Sequence, residues 1–248
     1  MNNEYLDIKM KKSIVTLLLV CLTMGSWAVE RPKQGFGFQI SWAQPILRIN
    51  LPKERPPFAD SAKAVIKMNG FKVGVVYDAS YIAGFGSTIG LNYTFGVYNS
   101  KWKASPGPYE YPLLRQRITY HQLELFVDWQ YKFEIAKETY LMLYTGPTLQ
   151  CGIDFDMIAE SKDIYDDIQR TSYDGYKSEN ENESFRRLNV TWGVGAGFQY
   201  KRYFLRGGYD FGLMNPYKNR DFDGIDKHTR GRLDQWNIRL GVYLWYPE

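Results

Sequence analysis

Few residues of this 248-residue chain are of types that carry chemistry, and its two histidines come first. His121 lies in the stretch Tyr120–Lys132 (YHQLELFVDWQYK), on the same strand face as Thr119 and Leu123. A general base there needs a nucleophile beside it, and Leu123 occupies the place a serine would take. His228 sits beside Lys227 and near Arg230 and reads as solvated. In the connection 154–187, ten acids (Asp154, Asp156, Glu160, Asp163, Asp166, Asp167, Asp174, Glu179, Glu181, Glu183) stand against Lys162, Arg170, Lys177, Arg186 and Arg187. Carboxylate oxygens suit Ca²⁺ or Mg²⁺, but this spacing follows no ligand loop, and a solvated acidic segment is the expectation. Asp221-Phe222-Asp223-Gly224 falls short of an EF-hand loop. Asp60-Ser61-Ala62 has the form of a short O-glycosylation site, at a length that chance supplies often. Gly193, Gly195 and Gly197 alternate along a strand with no helix after them, which excludes a nucleotide loop. No catalytic, cofactor-binding or metal-binding residue is assigned, and the chain is read as a non-enzyme.

The elements that carry these residues are strands. Trp236, Ile238, Leu240, Val242, Leu244 and Tyr246 fall on one face of the last, with Asn237, Arg239, Gly241, Tyr243 and Trp245 on the other. Successive strand side chains point opposite ways, so this is a two-faced strand. Seven earlier runs repeat the pattern, their apolar faces beginning at Phe36, Phe71, Ile89, Leu123, Leu141, Val190 and Tyr203. Those faces carry no charge. The opposite faces carry Lys72, Lys132, Arg206 and Arg239 against Asp78, Glu124, Asp128 and Asp210, four of each sign.

A soluble β-sandwich or lipocalin-like barrel would alternate too, with the apolar face inward. Three features favour the inverse, with apolar residues facing lipid. Strands of about 9–15 residues suit a tilted bilayer crossing. Glycine gathers on the polar face, where a narrow lumen needs room. Balanced charges on that face can pair as a buried network. Connections alternate as well: short at 80–86, 135–138 and 201–202, long at 44–69, 99–116, 154–187 and 215–231. Short turns on one side and long loops on the other mark transmembrane barrels. Aromatics near strand ends (Trp42, Tyr77, Trp129, Tyr131, Tyr200, Tyr203, Trp245, Tyr246) suit interfacial girdles. The expected fold is all-β, an eight-stranded antiparallel up-and-down transmembrane β-barrel.

Composition agrees with this and with export. Lys9, Lys11 and Lys12 precede an apolar Ser13–Thr23, and Ser26-Trp27-Ala28 puts small residues at −3 and −1. Residues 1–28 are the expected signal peptide, with Met10 the cleaner start, and 29–248 the barrel domain. Val20 before Cys21 is not the small residue a lipidation site requires. Cys151 is then the only cysteine, read as a small apolar strand residue. The formal charge of +4 contains no basic run, which excludes a nucleic-acid footprint. Twenty tyrosines against eleven alanines, and a mean hydropathy of −0.42, reflect apolar residues dispersed at every second position.

The stretch Tyr120–Lys132, Tyr144-Thr145-Gly146-Pro147-Thr148, Gly193-Val194-Gly195-Ala196-Gly197-Phe198 and the closing Arg239–Tyr246 (RLGVYLWY) resemble one family. These are the outer-membrane β-barrel proteins of Bacteroidetes, labelled porin-family or PorT-like. The resemblance covers roughly residues 35–246 and rests on strand patterns. It matches nothing specific to the PorT secretion subgroup, and the chain ends Tyr246-Pro247-Glu248 where many barrels end on the aromatic. It implies a Gram-negative outer-membrane location, periplasmic termini and external long loops. It implies as partners membrane lipids and lipopolysaccharide, the barrel assembly machinery, and a surface or secretion-system partner. Eight strands leave no aqueous channel, so a structural or surface-binding role is expected and a diffusion pore is not. Two alternatives are a lipid A-modifying enzyme built on His121 and a secreted soluble β-protein.

Overall fold

The computed structural model describes residues 34–50, 63–82, 84–104, 113–163, 165–176, 185–217 and 230–245. They form β1 (Gln34–Asn50), β2 (Lys63–Lys67), β3 (Asn69–Ile82), β4 (Phe85–Asn99), β5 (Lys103–Ala104) and β6 (Leu113–Ala136). Then come β7 (Thr139–Lys162), β8 (Ile168–Asp174), β9 (Leu188–Tyr200), β10 (Tyr203–Gly212) and β11 (Arg230–Trp245). β1, β3, β4, β6, β7, β9, β10 and β11 pair antiparallel in that order, and β11 pairs back with β1. Eight strands thus close into a ring, which removes every edge within it.

Three tight turns lie at one end. Gly84 (φ 88) makes the β3–β4 turn, where a Cβ would stand 2.3 Å from the Lys132 carbonyl oxygen. Glu138 (φ 57) and Lys201 (φ 52) take the left-handed conformation in the β6–β7 and β9–β10 turns, and the Lys201 amide donates to the Glu138 carbonyl at 2.9 Å.

At the other end the strands run on, which corrects the expected lengths. β6 and β7 are 24 residues each, and the segments 99–116 and 154–187 are partly strand. β1 reaches Asn50, β2 continues β3 in unbroken register (Ala43↔Gly70, Ile46↔Lys67), and β8 folds back along the outer end of β7.

The alternation faces as expected within the ring. On β6, Leu123, Leu125, Trp129, Tyr131 and Phe133 are exposed on the outside, while Gln122, Glu124, Phe126, Asp128, Gln130 and Lys132 are buried within. Residues 123–133 span about 25 Å of height at ~3.3 Å per residue and a tilt of about 40°, the height of a barrel's apolar belt. Inward aromatics lie over glycines directly opposite them: Phe126 over Gly90, Tyr120 over Gly96, Tyr144 over Gly195 and Phe204 over Gly241. A Cβ at any of the four would come within 2.3 Å of the ring. The narrow lumen is thereby filled by pairing its largest and smallest residues across strands.

Above the belt, polarity inverts. Beyond Leu123 the outward residues of β6 are His121, Thr119, Arg117 and Arg115, while the inward ones become Tyr120 and Ile118. Leu47, Met68, Ile118, Tyr120, Phe155, Tyr176 and Tyr217 form one buried apolar cluster over the barrel mouth. Apolar residues inside and polar ones outside is the pattern of a water-exposed domain, so the strand extensions build a folded cap.

Candidate functional site

The lumen holds all eight charges that the alternation placed there, and all are buried. Lys72 pairs with Glu124 at 2.5 Å, Lys132 with Asp78 at 2.6 Å and Arg239 with Asp128 at 2.9 Å. Asp78 also accepts from Gln130 at 2.6 Å and from the Tyr243 hydroxyl at 2.7 Å. Arg206 donates to Thr88, Gln130 and that same hydroxyl at 3.0–3.2 Å, with Asp78 at 3.9 Å and Asp128 at 4.0 Å. Asp210 accepts from Asn237 at 2.9 Å and Gln235 at 3.2 Å. Taking these ions out of water is tolerable because each has close polar partners, and the crosslinks tie opposite walls together. Val76, Phe126, Met142, Phe204 and Tyr243 pack together as an apolar layer inside the same lumen.

A cavity of about 50 Å³ lies between the polar floor (Gln122, Gln150, Asn189) and the apolar cap (Leu47, Phe155, Tyr176). Asn189 donates to the Gln150 side-chain oxygen at 2.7 Å. Burial in the cap pushes the Tyr176 and Tyr217 phenols up to about 12.

On the outer face of the extensions, two carboxylates are wholly covered by arginines. Glu160 on β7 accepts from Arg115 and from Arg170 (3.0 Å), with Arg117 at 3.7 Å, and Arg115 lies 4.5 Å over the Trp102 ring. Asp234 on β11 accepts from Arg48 at 3.0 Å, Arg232 at 2.8 Å and the Gly212 amide at 3.1 Å. Both carboxylates have no exposure, whereas Arg117, Arg170, Arg48 and Arg232 are 43–61% exposed. Burial raises the Glu160 pKa, but the Arg115 hydrogen bond and the charges of Arg115, Arg117 and Arg170 outweigh it and hold the carboxyl below its usual range.

His121 lies on the outer face at the rim. Its Nδ1 is 2.5 Å from the Tyr93 hydroxyl, its ring is 5.1 Å from that of Phe95, and Asp154 pairs with it across β7. Leu123 follows it on that face, as the alternation required. Cys151 is a free, exposed thiol on the outer face of β7. Gly193, Gly195 and Gly197 line the lumen beside Asp210, Tyr144 and Arg206. His228, Asp60-Ser61-Ala62, Asp221–Gly224, Tyr246 and the signal segment lie outside the described residues.

The acidic connection is not one solvated segment. Phe155 turns into the cap, Glu160 is buried under arginines, and Asp163 accepts from the Tyr165 and Asp167 amides in the β7–β8 turn. Among the described residues no three His, Cys, Asp or Glu groups are placed to hold a metal ion. The arginine clusters escaped the sequence reading. Arg115 and Arg117 at period two, just before the apolar run of β6, are the signal that marks them.

Residues 48–217 match the family described as outer membrane protein beta-barrel domain. No curated protein matches the chain. Among solved structures it is similar to Ail, the attachment invasion locus protein of Yersinia pestis. There the TM-score is 0.38 and the identity 12%, covering 86% of this chain and 100% of that one. It is similar also to Neisserial surface protein A (TM-score 0.35, 10% identity, 83% and 96% covered). With the family match extending over more than half of its length, the chain belongs to the outer membrane protein beta-barrel domain family.

Proposed function

We propose that this barrel is a platform with a sealed lumen, whose cap is its working surface and points out of the cell. The inversion of polarity on β6 at His121 carries this reading: Ile118 and Tyr120 turn inward and Arg115 and Arg117 outward, as in a folded body standing in water. The termini and the turns at Gly84, Glu138 and Lys201 then face the periplasm, and the cap meets surface partners, lipopolysaccharide first among them. Delivery through the barrel assembly machinery belongs to the same reading. The role is binding or structural rather than enzymatic, since the Nδ1 of His121 is taken up by Tyr93 and Leu123 fills the place of a nucleophile. The stretch Tyr120–Lys132, which forms the rim and wall of β6, supports placing the chain among Bacteroidetes barrels, without a tie to the PorT secretion subgroup.

Orientation is the testable core. Tyr165, 79% exposed at the β7–β8 turn, is the reporter. In a Cys151→Ala background, Tyr165→Cys should react with a membrane-impermeant maleimide on intact cells, and Glu138→Cys only after permeabilisation. The opposite pattern would turn the cap to the periplasm.

A further inference from the structure

We infer that the arginine cluster around Glu160 is a binding site for the anionic core saccharide of the lipopolysaccharide surrounding the barrel. The inference rests on the outward orientation of the cap. Arg115, Arg117 and Arg170 stand on the outer face of β6 and β8, which is the lipid-facing side of the wall below. One carboxylate, Glu160, faces three guanidinium groups, so among the described residues the cluster keeps two unbalanced positive charges. Trp102 stacks on Arg115 and fixes its plane, and exposed Lys101 and Lys103 flank Trp102 in the chain. Arg117 is 43% and Arg170 61% exposed, and the Nε of Arg117, buried and 3.7 Å from Glu160, has no hydrogen-bond partner. Glu160 thus orients the guanidinium groups without neutralising them, and such forks match phosphate and carboxylate groups in pairs.

Height selects the ligand. Arg117 stands three outward positions beyond Leu123, which at ~3.3 Å per residue and a tilt of about 40° places it about 15 Å above the belt. Closer to the belt the outer face carries Asp154 opposite His121. On this side of the barrel, Asp154 at headgroup level and the arginines above it disfavour a bare lipid headgroup at this cluster. They favour a glycolipid whose phosphates or carboxylates lie in its first sugars.

The test uses the full barrel in detergent micelles. Fluorescent rough lipopolysaccharide with an intact phosphorylated core is titrated against lipid A alone and against dextran sulfate. Wild-type protein should hold the core-bearing form about tenfold or more tighter than lipid A, as one lost charge-assisted contact predicts. Arg117→Gln/Arg170→Gln should remove that difference and leave lipid A binding unchanged, with folding verified by heat-modifiable migration. If that pair fails to fold, Arg117→Lys/Arg170→Lys keeps the charge but loses the fork, and its binding should fall between the two. Equal affinity of folded wild type and variant for the core-bearing form overturns the assignment. So does tighter binding of dextran sulfate than of lipopolysaccharide at the same arginines, which would assign a soluble polyanion. Labelling at Tyr165 reports orientation independently, so a failure there is separable from a failure here.

Discussion

Ile153 and Phe155 are two residues apart on one strand yet face opposite sides of it, Ile153 46% exposed on the outer wall and Phe155 8% exposed inside the cap. The register explains this: Gln122 pairs with Gly152, but its neighbour His121 pairs with Asp154, leaving Ile153 as an extra residue in β7. A bulge shifts the alternation by one position and kinks the strand. Here it lies at the level where lipid-facing wall becomes water-facing cap. The shift turns Asp154 and Asp156 outward and Phe155 into the apolar cluster.

Inserting an alanine between Asp154 and Phe155 should therefore spoil the cap and spare the barrel. Past the bulge the added residue would slip the alternation once more, turning Phe155 toward solvent and Asp156 into the cluster. Deleting Ile153 would instead leave Gly152 inward, Asp154 outward and Phe155 inward. Loss of a buried phenylalanine costs about 3–5 kcal/mol, which a cap of this size cannot absorb. Limited proteolysis should cut the β7–β8 region of the variant rapidly while heat-modifiable migration persists. A variant as resistant as wild type would show that strand phase does not set the facing.

The same bulge marks where sequence reading ends. Eight strands, their facing, the three short turns and the lumen charges all follow from an uninterrupted period of two. That period is strong where lipid and lumen impose opposite demands on alternate residues. Past Ile153 the phase slips, and past Leu123 the polarity reverses without any slip, so both extensions resemble connections although β6 and β7 continue. The arginine clusters are hidden for a second reason. Arg115 and Arg170 are far apart in sequence, and only the β6–β7–β8 pairing brings them to Glu160.

Asp78 is the hub of the lumen, accepting from Lys132, Gln130 and Tyr243. Asp78→Ala removes that acceptor from beneath a buried cation and should destabilise the barrel by about 3–5 kcal/mol. Adding Lys132→Met should recover part of the loss, because the cation goes with its partner. Urea titration in detergent, read by the gel shift between folded and unfolded forms, separates the two. A double variant less stable than Asp78→Ala would refute the pairing.

His121 is predicted to matter only to its neighbours. His121→Ala removes the contact with the Tyr93 hydroxyl and should cost about 0.5–1.5 kcal/mol, with no change in the lipid A acylation pattern. Mass spectrometry of lipid A from cells with and without the substitution checks this. An altered acyl pattern would restore the enzymatic alternative.

Acid should loosen the cap before it affects the wall's apolar packing. Burial raises the Glu160 pKa, but the arginines around it outweigh that and leave it lowered in the folded state. A lowered carboxylate pKa means the unfolded chain binds the proton more tightly, so the contribution is complete above the usual range of about pH 4–5. It is lost progressively as pH falls through the folded value, where Glu160 protonates and the three guanidinium groups repel one another. Asp234 is lowered likewise: burial raises it, and the Gly212 amide, Arg48, Tyr209 and Arg232 prevail. Protease cleavage within the β7–β8 projection should accelerate below about pH 4 in wild type. Glu160→Gln, neutral throughout, should be cleaved faster at pH 7 and lose most of the acid dependence on that side. An unchanged acid profile in that variant would assign the loosening to other carboxylates.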